Sequence, residues 1–423
     1  MKFKNILLIY PKPTIDKSPR FGFSIQLLQI ANLIKKAGYN TFYLDYSYQD
    51  FVPYKFSDFL ISNEIDLCLI EIDSFALKRS ENIENALEIL NLILAQNKKS
   101  IVFGYGCILD KSRKFPADLV IHDDPFKCII RDIQILENYE VPHDEWNYDF
   151  DNLPFPDRKL LLSNEFFKKN SISTLIKTAE GCLNSCTFCQ RKGWQKTYRA
   201  HSLEYIMNEF RLLRANGYRN VWINDENFTF DLDRAKKILI ALISEGLTTE
   251  MKIAISSWTH IDNEFLKLAK EANVSVISFG IESANDKILE FYKKKIDLKE
   301  TIGLFKYANS CGIYTVGNFI IGAPMETLET ISMTFEYIEA LEPDQVNIKI
   351  LDYMIGSTLY EMLKRKEKSH YFACAENGLN NFMLDDLIKL KNGFLKEYKA
   401  KNCGRLQKKI QKFGLPYFHV ENK

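Results

Sequence analysis

The sequence predicts an α/β protein with two parallel sheets. One belongs to a doubly wound, Rossmann-like domain over 1–137, the other to a partial (β/α)6 barrel over 171–360. Three observations predict this. Short β-rich apolar runs alternate with helical patterns near the start of the chain, the same alternation resumes after Ser171, and a Pro-rich interval separates the two stretches. That interval, 138–170, carries Pro142, Pro154 and Pro156 among Asp and Asn and reads as an irregular linker. Residues 361–423 turn helical and Lys-rich.

In the first stretch the strand signals are Asn5–Tyr10, Thr41–Tyr46, Leu67–Asp73, Ile101–Tyr105 and Leu119–His122. Helical patterns run from about Ser24 to Ala37, where Gly38 stops the first, and from Asn82 to Gln96. Near-continuous apolar strands separated by helices indicate a sheet covered on both faces. Such a sheet binds ligands beyond the carboxyl ends of its strands. Those ends offer Pro11 to Phe21, Asp73-Ser74, Gly104-Tyr105-Gly106 and His122 to Pro125.

The second stretch predicts strands at Ser173–Thr178, Asn220–Asn224, Lys252–Ser256, Ser275–Gly280, Thr315–Ile321 and Gln345–Leu351. Helices are expected at Leu203–Ala215, Leu232–Ser244, Asn263–Glu271, Leu298–Cys311 and Leu328–Ala340, with Gly217, Gly246 and Gly312 as stops. Right-handed β/α repeats curl into a barrel whose chemistry sits at the carboxyl ends of the strands.

Composition excludes several classes. The 423 residues are 46% hydrophobic and 26% charged, with a net charge of +1, so no bulk charge points to nucleic acid or membrane. The apolar run after Met1 is too short for a signal peptide, and no stretch reaches the length of a transmembrane helix. The chain is therefore expected to be cytoplasmic, where nine cysteines suggest metal or redox chemistry before disulfides.

The most informative segment is Cys182-Leu-Asn-Ser-Cys186-Thr-Phe-Cys189, directly after the first barrel strand. Thiolates in one short loop can hold three irons of a 4Fe–4S cubane and leave the fourth open to a ligand. Zinc would want a fourth Cys or His, for which His201 is the nearest candidate.

CxxxCxxC after a first strand, with an aromatic before the last Cys, resembles the radical S-adenosylmethionine (radical SAM) superfamily. The resemblance implies that the methionyl group of S-adenosylmethionine chelates the open iron and that Phe188 lies near the adenine. It also extends to Asn224-Asp225-Glu226-Asn227, where Asp225 and Glu226 would hold the methionyl ammonium or cap a helix. Glu282 and Ser283, closing the fourth strand, look like the segment that meets the ribose and carboxylate. Gly322, closing the fifth, looks like the adenine-facing segment. No general acid or base stands out.

Pro19-Arg-Phe-Gly22, Leu153 to Arg158, and Trp194 to Phe230 resemble cobalamin-binding radical SAM proteins over roughly residues 1–365. In those proteins a doubly wound domain holds cobalamin against the barrel mouth. Here Ser74, Gly104, Tyr105 and Gly106 are the candidate cobalamin contacts, the glycines being small enough to admit a nucleotide tail. There is no Asp-x-His-x-x-Gly to supply an axial histidine, and a fold that has lost its cofactor is the alternative.

The resemblance implies a cobalamin-dependent methyltransferase acting on an unactivated carbon or a phosphinate phosphorus. Its substrate would be a small molecule or peptide, with flavodoxin or ferredoxin as electron donor and no nucleic acid expected. The alternatives are a cyclase, epimerase or rearranging enzyme with a relic cobalamin fold; a methylthiotransferase using Cys68, Cys107 and Cys128; and an iron–sulfur regulator or scaffold. Cys311, Cys374 and Cys403 read as structural. The tail from Lys389 to Lys412 reads as a solvated helix face over the barrel.

Overall fold

In the computed structural model the described residues are 3–11, 23–72, 80–140, 149–169, 172–193, 197–363, 374–377 and 379–414. The chain divides into two compact units, one over Met1–Ser171 with Glu367–Ser369, the other over Ile172–Lys366 with His370–Lys423.

The first unit is a five-stranded parallel sheet in the order β2-β1-β3-β4-β5. Its strands are β1 (Asn5–Tyr10), β2 (Asn40–Asp45), β3 (Leu67–Glu71), β4 (Lys99–Phe103) and β5 (Leu119–Val120). This is the flavodoxin-like order, which reverses between β1 and β3. The central strands are the most apolar because helices cover both faces: Ile6, Leu7, Leu8 and Ile9 are all 0% exposed, each contributing about 1.5–3 kcal/mol by burial. Between the strands run α1 (Ile25–Lys36), α2 (Pro53–Ser62), α3 (Ser80–Ala95) and α4 (Tyr105–Leu109), and α5 (Pro125–Leu136) follows β5. Ser24 caps α1 by accepting from the Leu27 amide. The short helices α2 and α4 escape the sequence reading, since each carries little more than one apolar face. Asp124 caps α5 through the Phe126 amide, with Pro125 at its first position, so the turn after β5 is a helix start.

The interval read as a linker is ordered where it is described. It forms 3₁₀ turns at Phe150–Asn152 and Arg158–Ser163 and helix α6 (Glu165–Lys169). It packs on the first unit: Asn32 Nδ2 donates to Phe155 O, the Asp157 amide donates to Leu28 O, and Phe167 meets Phe23 edge-on at 6.1 Å.

The second unit carries a six-stranded parallel sheet. Its strands are β6 (Ser173–Ile176), β9 (Asn220–Ile223), β10 (Lys252–Ser257), β11 (Val274–Glu282), β12 (Tyr314–Ile321) and β13 (Gln345–Ile350), neighbours in that order. A small antiparallel pair, β7 (Ala179–Glu180) and β8 (Arg199–Ala200), brackets the cysteine loop. The covering helices are α7 (Leu203–Ala215), α8 (Leu232–Ser244), α9 (Asn263–Glu271), α11 (Leu298–Ser310) and α12 (Leu328–Leu341). Their capping residues Ser202, Asp231, Asp262, Asp297 and Thr327 explain why the periodicity placed their starts so closely. Two shorter helices, α10 (Asp286–Tyr292) and α13 (Thr358–Leu363), follow β11 and β13.

The tail forms α14 (Leu384–Phe413). Most of its lysines face outward, but Arg405 and Lys409 turn in to Asp344, whose side chain is 0% exposed. Lys409 also donates to Ile313 O at 2.6 Å, so this end of the tail is an anchor on the barrel. Among the described residues, no helix is long and apolar enough to cross a membrane.

Candidate active site at the barrel mouth

The cysteine loop leaves the sheet at the carboxyl end of β6 and is held there by β9. Gly181, just before Cys182, has φ +93, and an added Cβ would stand 2.3 Å from Thr197 O, so only glycine fits. Its amide donates to Glu226 Oε2 at 3.1 Å. Lys177 Nζ lies 2.7 Å and Arg191 Nη1 3.2 Å from Glu226 Oε1. Asp225 is buried and accepts from the amides of Thr178 at 2.7 Å and Ala179 at 3.1 Å, and from Thr178 Oγ1 at 2.5 Å. Burial pushes its carboxyl up, and these bonds oppose the shift. Both carboxylates are thus engaged in fixing the chain that leads into the cysteines.

Within the loop, Asn184 Nδ2 donates to Cys182 Sγ at 3.3 Å and the Cys189 amide donates to Cys186 O. Thr187 Oγ1 donates to Phe291 O at 2.9 Å, and the ring of Phe188 meets Tyr292 edge-on at 5.2 Å, tying the loop to α10. Cys186 is buried, while Cys182 and Cys189 are half-buried. Burial pushes the Cys186 thiol up to about 12; Lys294 pulls against that shift, and Cys189 and Cys182 are among the groups close enough to act on it. Among the described residues no group of His, Cys, Asp and Glu could hold a single metal ion. A cubane makes a different demand, with each thiolate on its own iron. The donor set here fits such a cluster: neighbouring thiols, one already accepting an N–H bond, all in one braced loop.

The end of β11 is irregular. Its register against β12 shifts between Gly280 and Glu282, and Glu282 has φ +74, a costly conformation for a residue with a side chain. Glu282 Oε1 lies 3.2 Å from Lys294 Nζ, and Ser283 Oγ accepts from the Asn285 amide. At the end of β12, Gly322 has φ +95. Glu326 Oε2 accepts from the amides of Gly322 at 2.9 Å and Ala323 at 3.1 Å, and Oε1 from Thr330 Oγ1 at 3.0 Å. Burial pushes the Glu326 carboxyl up against these bonds.

A cleft of about 650 Å³ opens beside the loop, lined among others by Asn184, Ser185, Asn227, Phe230, Trp258 and Lys294. Sequence reasoning missed Lys177, Trp258, Lys294 and Glu326. Only Glu326 had a signal, standing four residues after Gly322 at the end of the fifth strand; the others are drawn in by turns whose geometry periodicity does not encode.

In the first unit, Gly104 has φ +111 and an added Cβ would stand 2.5 Å from Ile72 O. The Gly106 amide donates to that same carbonyl at 2.8 Å. Gly104, expected to admit a nucleotide tail, is therefore required by the sheet's own packing. Tyr105 opens α4, and Ser74 lies outside the described residues. Cys68 and Cys107 sit in the apolar cluster with Ile70 and Ile72, and Cys128 Sγ donates to Asp124 O. Cys68 and Cys107 are thus packed as core residues, unlike the cysteines of the barrel loop.

Residues 176–338, within the barrel unit, match the model of the Radical SAM superfamily. Similar relatives include methyltransferases, methylthiotransferases and a cyclase. The chain is 31% identical over 214 residues to an uncharacterized methyltransferase of Pyrococcus horikoshii, covering 50% of this chain and 46% of that one. It is 27% identical over 256 residues to the cytidylyl-2-hydroxyethylphosphonate methyltransferase of Streptomyces wedmorensis, covering 55% and 48%. The chain thus spans about half the length of these curated relatives. Its fold is that of TsrM, a radical S-adenosylmethionine methyltransferase of Kitasatospora setae, with a TM-score of 0.71 at 15% identity over 84% of this chain and 75% of that one. TsrM has been solved with tryptophan and an S-adenosylmethionine analogue, and with cobalamin and a [4Fe-4S] cluster.

Proposed function

We propose that this chain is a cobalamin-dependent radical SAM methyltransferase acting on an unactivated carbon or a phosphinate phosphorus. Cys182, Cys186 and Cys189 would hold the 4Fe–4S cluster. Residues 171–360 would form the radical SAM barrel and 1–137 the cobalamin-binding domain. The observation that carries the reading is the braced three-thiol loop opening on a cleft at the carboxyl ends of the barrel strands, in a radical SAM domain. Likeness to TsrM and the flavodoxin-like sheet order support the cobalamin part.

When bound, the cluster would supply the electron that cleaves S-adenosylmethionine, and cobalamin would carry the methyl group. The chain's own residues bind and orient. Glu226 and Asp225 fix the approach to Cys182 by accepting backbone N–H bonds, so they act on S-adenosylmethionine through the loop. Asn184 steadies the Cys182 sulfur. Glu282, at the strained end of β11, offers a carboxylate beside the cleft, and Ser283 and Gly322 shape the neighbouring strand ends. Phe188 packs behind the loop, and Trp258 with Phe230 provides an aromatic wall. The substrate is a small molecule or peptide, and the reductant a flavodoxin- or ferredoxin-like donor.

Anaerobic reconstitution tests the reading, with about four irons and four sulfides expected per chain. Dithionite should then release 5′-deoxyadenosine and methionine from S-adenosylmethionine. Equilibrium dialysis of the cluster-loaded protein with hydroxocobalamin should show uptake; none would remove the methyl-transfer reading and leave a radical SAM enzyme with a relic fold.

A further inference from the structure

Lys294 is a buried ammonium to which the scheme above gives no task. Its side chain is 2% exposed, whereas Lys293 and Lys295 on either side are exposed. Nζ donates to Gly280 O at 2.8 Å, lies 3.2 Å from Glu282 Oε1 and stands 3.9 Å from the centre of the Trp258 ring. Burying an ammonium costs several kcal/mol unless partners offset it, and a carbonyl, a carboxylate and a ring face all do so here.

The local backbone is shaped around this arrangement. A Cβ at Gly280 would stand 2.8 Å from Glu282 Oε1 and 3.1 Å from Lys294 Nζ. Glu282 holds its carboxylate at the ammonium from φ +74. Strain of this kind persists where the surroundings enforce it, and it gathers at functional sites. Lys294 also lines the cleft together with Asn184 and Ser185 of the cysteine loop. Asn184 in turn is bonded to the Cys182 sulfur, so one cleft joins Lys294 to the cysteine loop.

We propose that Lys294 is a positioning residue whose fixed charge, locked in place by Glu282, raises the reduction potential of the cluster on Cys182, Cys186 and Cys189. This inference rests on the cluster assignment above. Reduction adds a negative charge to a cluster already ligated by thiolates. A buried cation on the cleft that the cysteine loop lines stabilises the reduced state more than the oxidised one. Without Lys294 the cluster accepts its electron less readily.

The test is a redox titration of the reconstituted full chain, followed by electron paramagnetic resonance without added S-adenosylmethionine. Lys294→Met keeps an unbranched stem and removes the charge that stands over the Trp258 ring. At a fixed potential it should leave about tenfold less reduced cluster, a midpoint lower by ~59 mV for one electron, with unchanged iron content. Lys294→Arg should stay near the original midpoint, and Glu282→Gln, which removes the countercharge, should move it upward. A fully loaded Lys294→Met protein with an unaltered midpoint overturns the proposal. So does an Arg variant that shifts as far as Met. Should Lys294→Met fail to load, Glu282→Gln decides, and the absence of an upward shift is again negative. If the unaltered chain assembles no cluster, the functional reading fails instead.

Discussion

Cysteines behave differently in the two units. In the barrel unit, Cys182 Sγ accepts a bond from the Asn184 amide, and Cys182 and Cys189 remain half open. In the first unit, Cys68 is 0% exposed among isoleucines, Cys107 is pushed up to about 12 by burial, and Cys128 donates to a backbone carbonyl. A sulfur that accepts a hydrogen bond, as Cys182 does, is prepared to be a thiolate; Cys186 shares the burial of Cys107 and is set apart from it by its place in the loop. Sequence spacing singles out Cys182, Cys186 and Cys189 only because they share one loop.

The widest effect should come from exchanging cysteines between these classes. Replacing Cys182, Cys186 and Cys189 by Ala should remove essentially all reconstituted iron. Cys68→Ala should cost roughly 1–2 kcal/mol of stability through its cavity and leave iron unchanged. Iron analysis with denaturant unfolding checks both. Equal iron loss from Cys68→Ala would break the distinction.

The units also differ in what their strand-end glycines serve. Gly104 combines φ +111 with a backbone oxygen 2.5 Å from any Cβ, whereas Gly217, at φ +80, has nothing within 4 Å. Gly104→Ala should therefore destabilise the first unit by about 3 kcal/mol, and Gly217→Ala the second by only about 1 kcal/mol. Similar costs at both positions would mean that the contact with Ile72 yields easily. A large substitution at Gly104 would report on the sheet before it reported on cobalamin.

Much of the fold was legible because its signals are local. Periodicity gave α7, α8 and α9 their observed bounds, since an Asp or Ser cap starts each one. The cysteine motif was read as following the first barrel strand, and it does follow β6, with the short β7 between. The carboxylates were harder. Asp225 and Glu226 were correctly put at the end of β9, but their partners, Thr178, Ala179 and Gly181, lie in the segment after β6. A single sequence gives no measure of which strand-end donors converge. Lys294 was unreadable for the same reason, one of three adjacent lysines being singled out by the turn after α10. The ordered part of the linker was hidden by its prolines, which signal irregular backbone and say nothing of packing.

Glu226 measures how far the barrel loop depends on that convergence. Glu226→Gln keeps an acceptor for the Gly181 amide but removes the charge facing Lys177 and Arg191. The side chain is only 6% exposed, so about 2 kcal/mol of stability should be lost. Cluster retention during desalting should fall while reconstitution still succeeds. Unchanged retention would show that the loop holds its shape without this brace.

The smallest effect should come from Asn184, where the contrast between accepting and donating sulfurs rests on one bond. Asn184→Leu fills similar space and deletes the donor to Cys182 Sγ, whose length of 3.3 Å is ordinary for nitrogen to sulfur. A hydrogen bond to sulfur favours the reduced, more negative cluster, so its loss should lower the midpoint. At about 0.5–1.5 kcal/mol for a single bond, the fraction reduced at fixed potential should drop only a few-fold, less than for Lys294→Met. Iron content should hold, because the thiolate itself remains. The same deletion at Cys128, by Cys128→Ala, should leave the midpoint untouched, since that sulfur donates to Asp124 O within the first unit. A midpoint that moves for Cys128→Ala and not for Asn184→Leu would reverse the roles given to the two sulfurs.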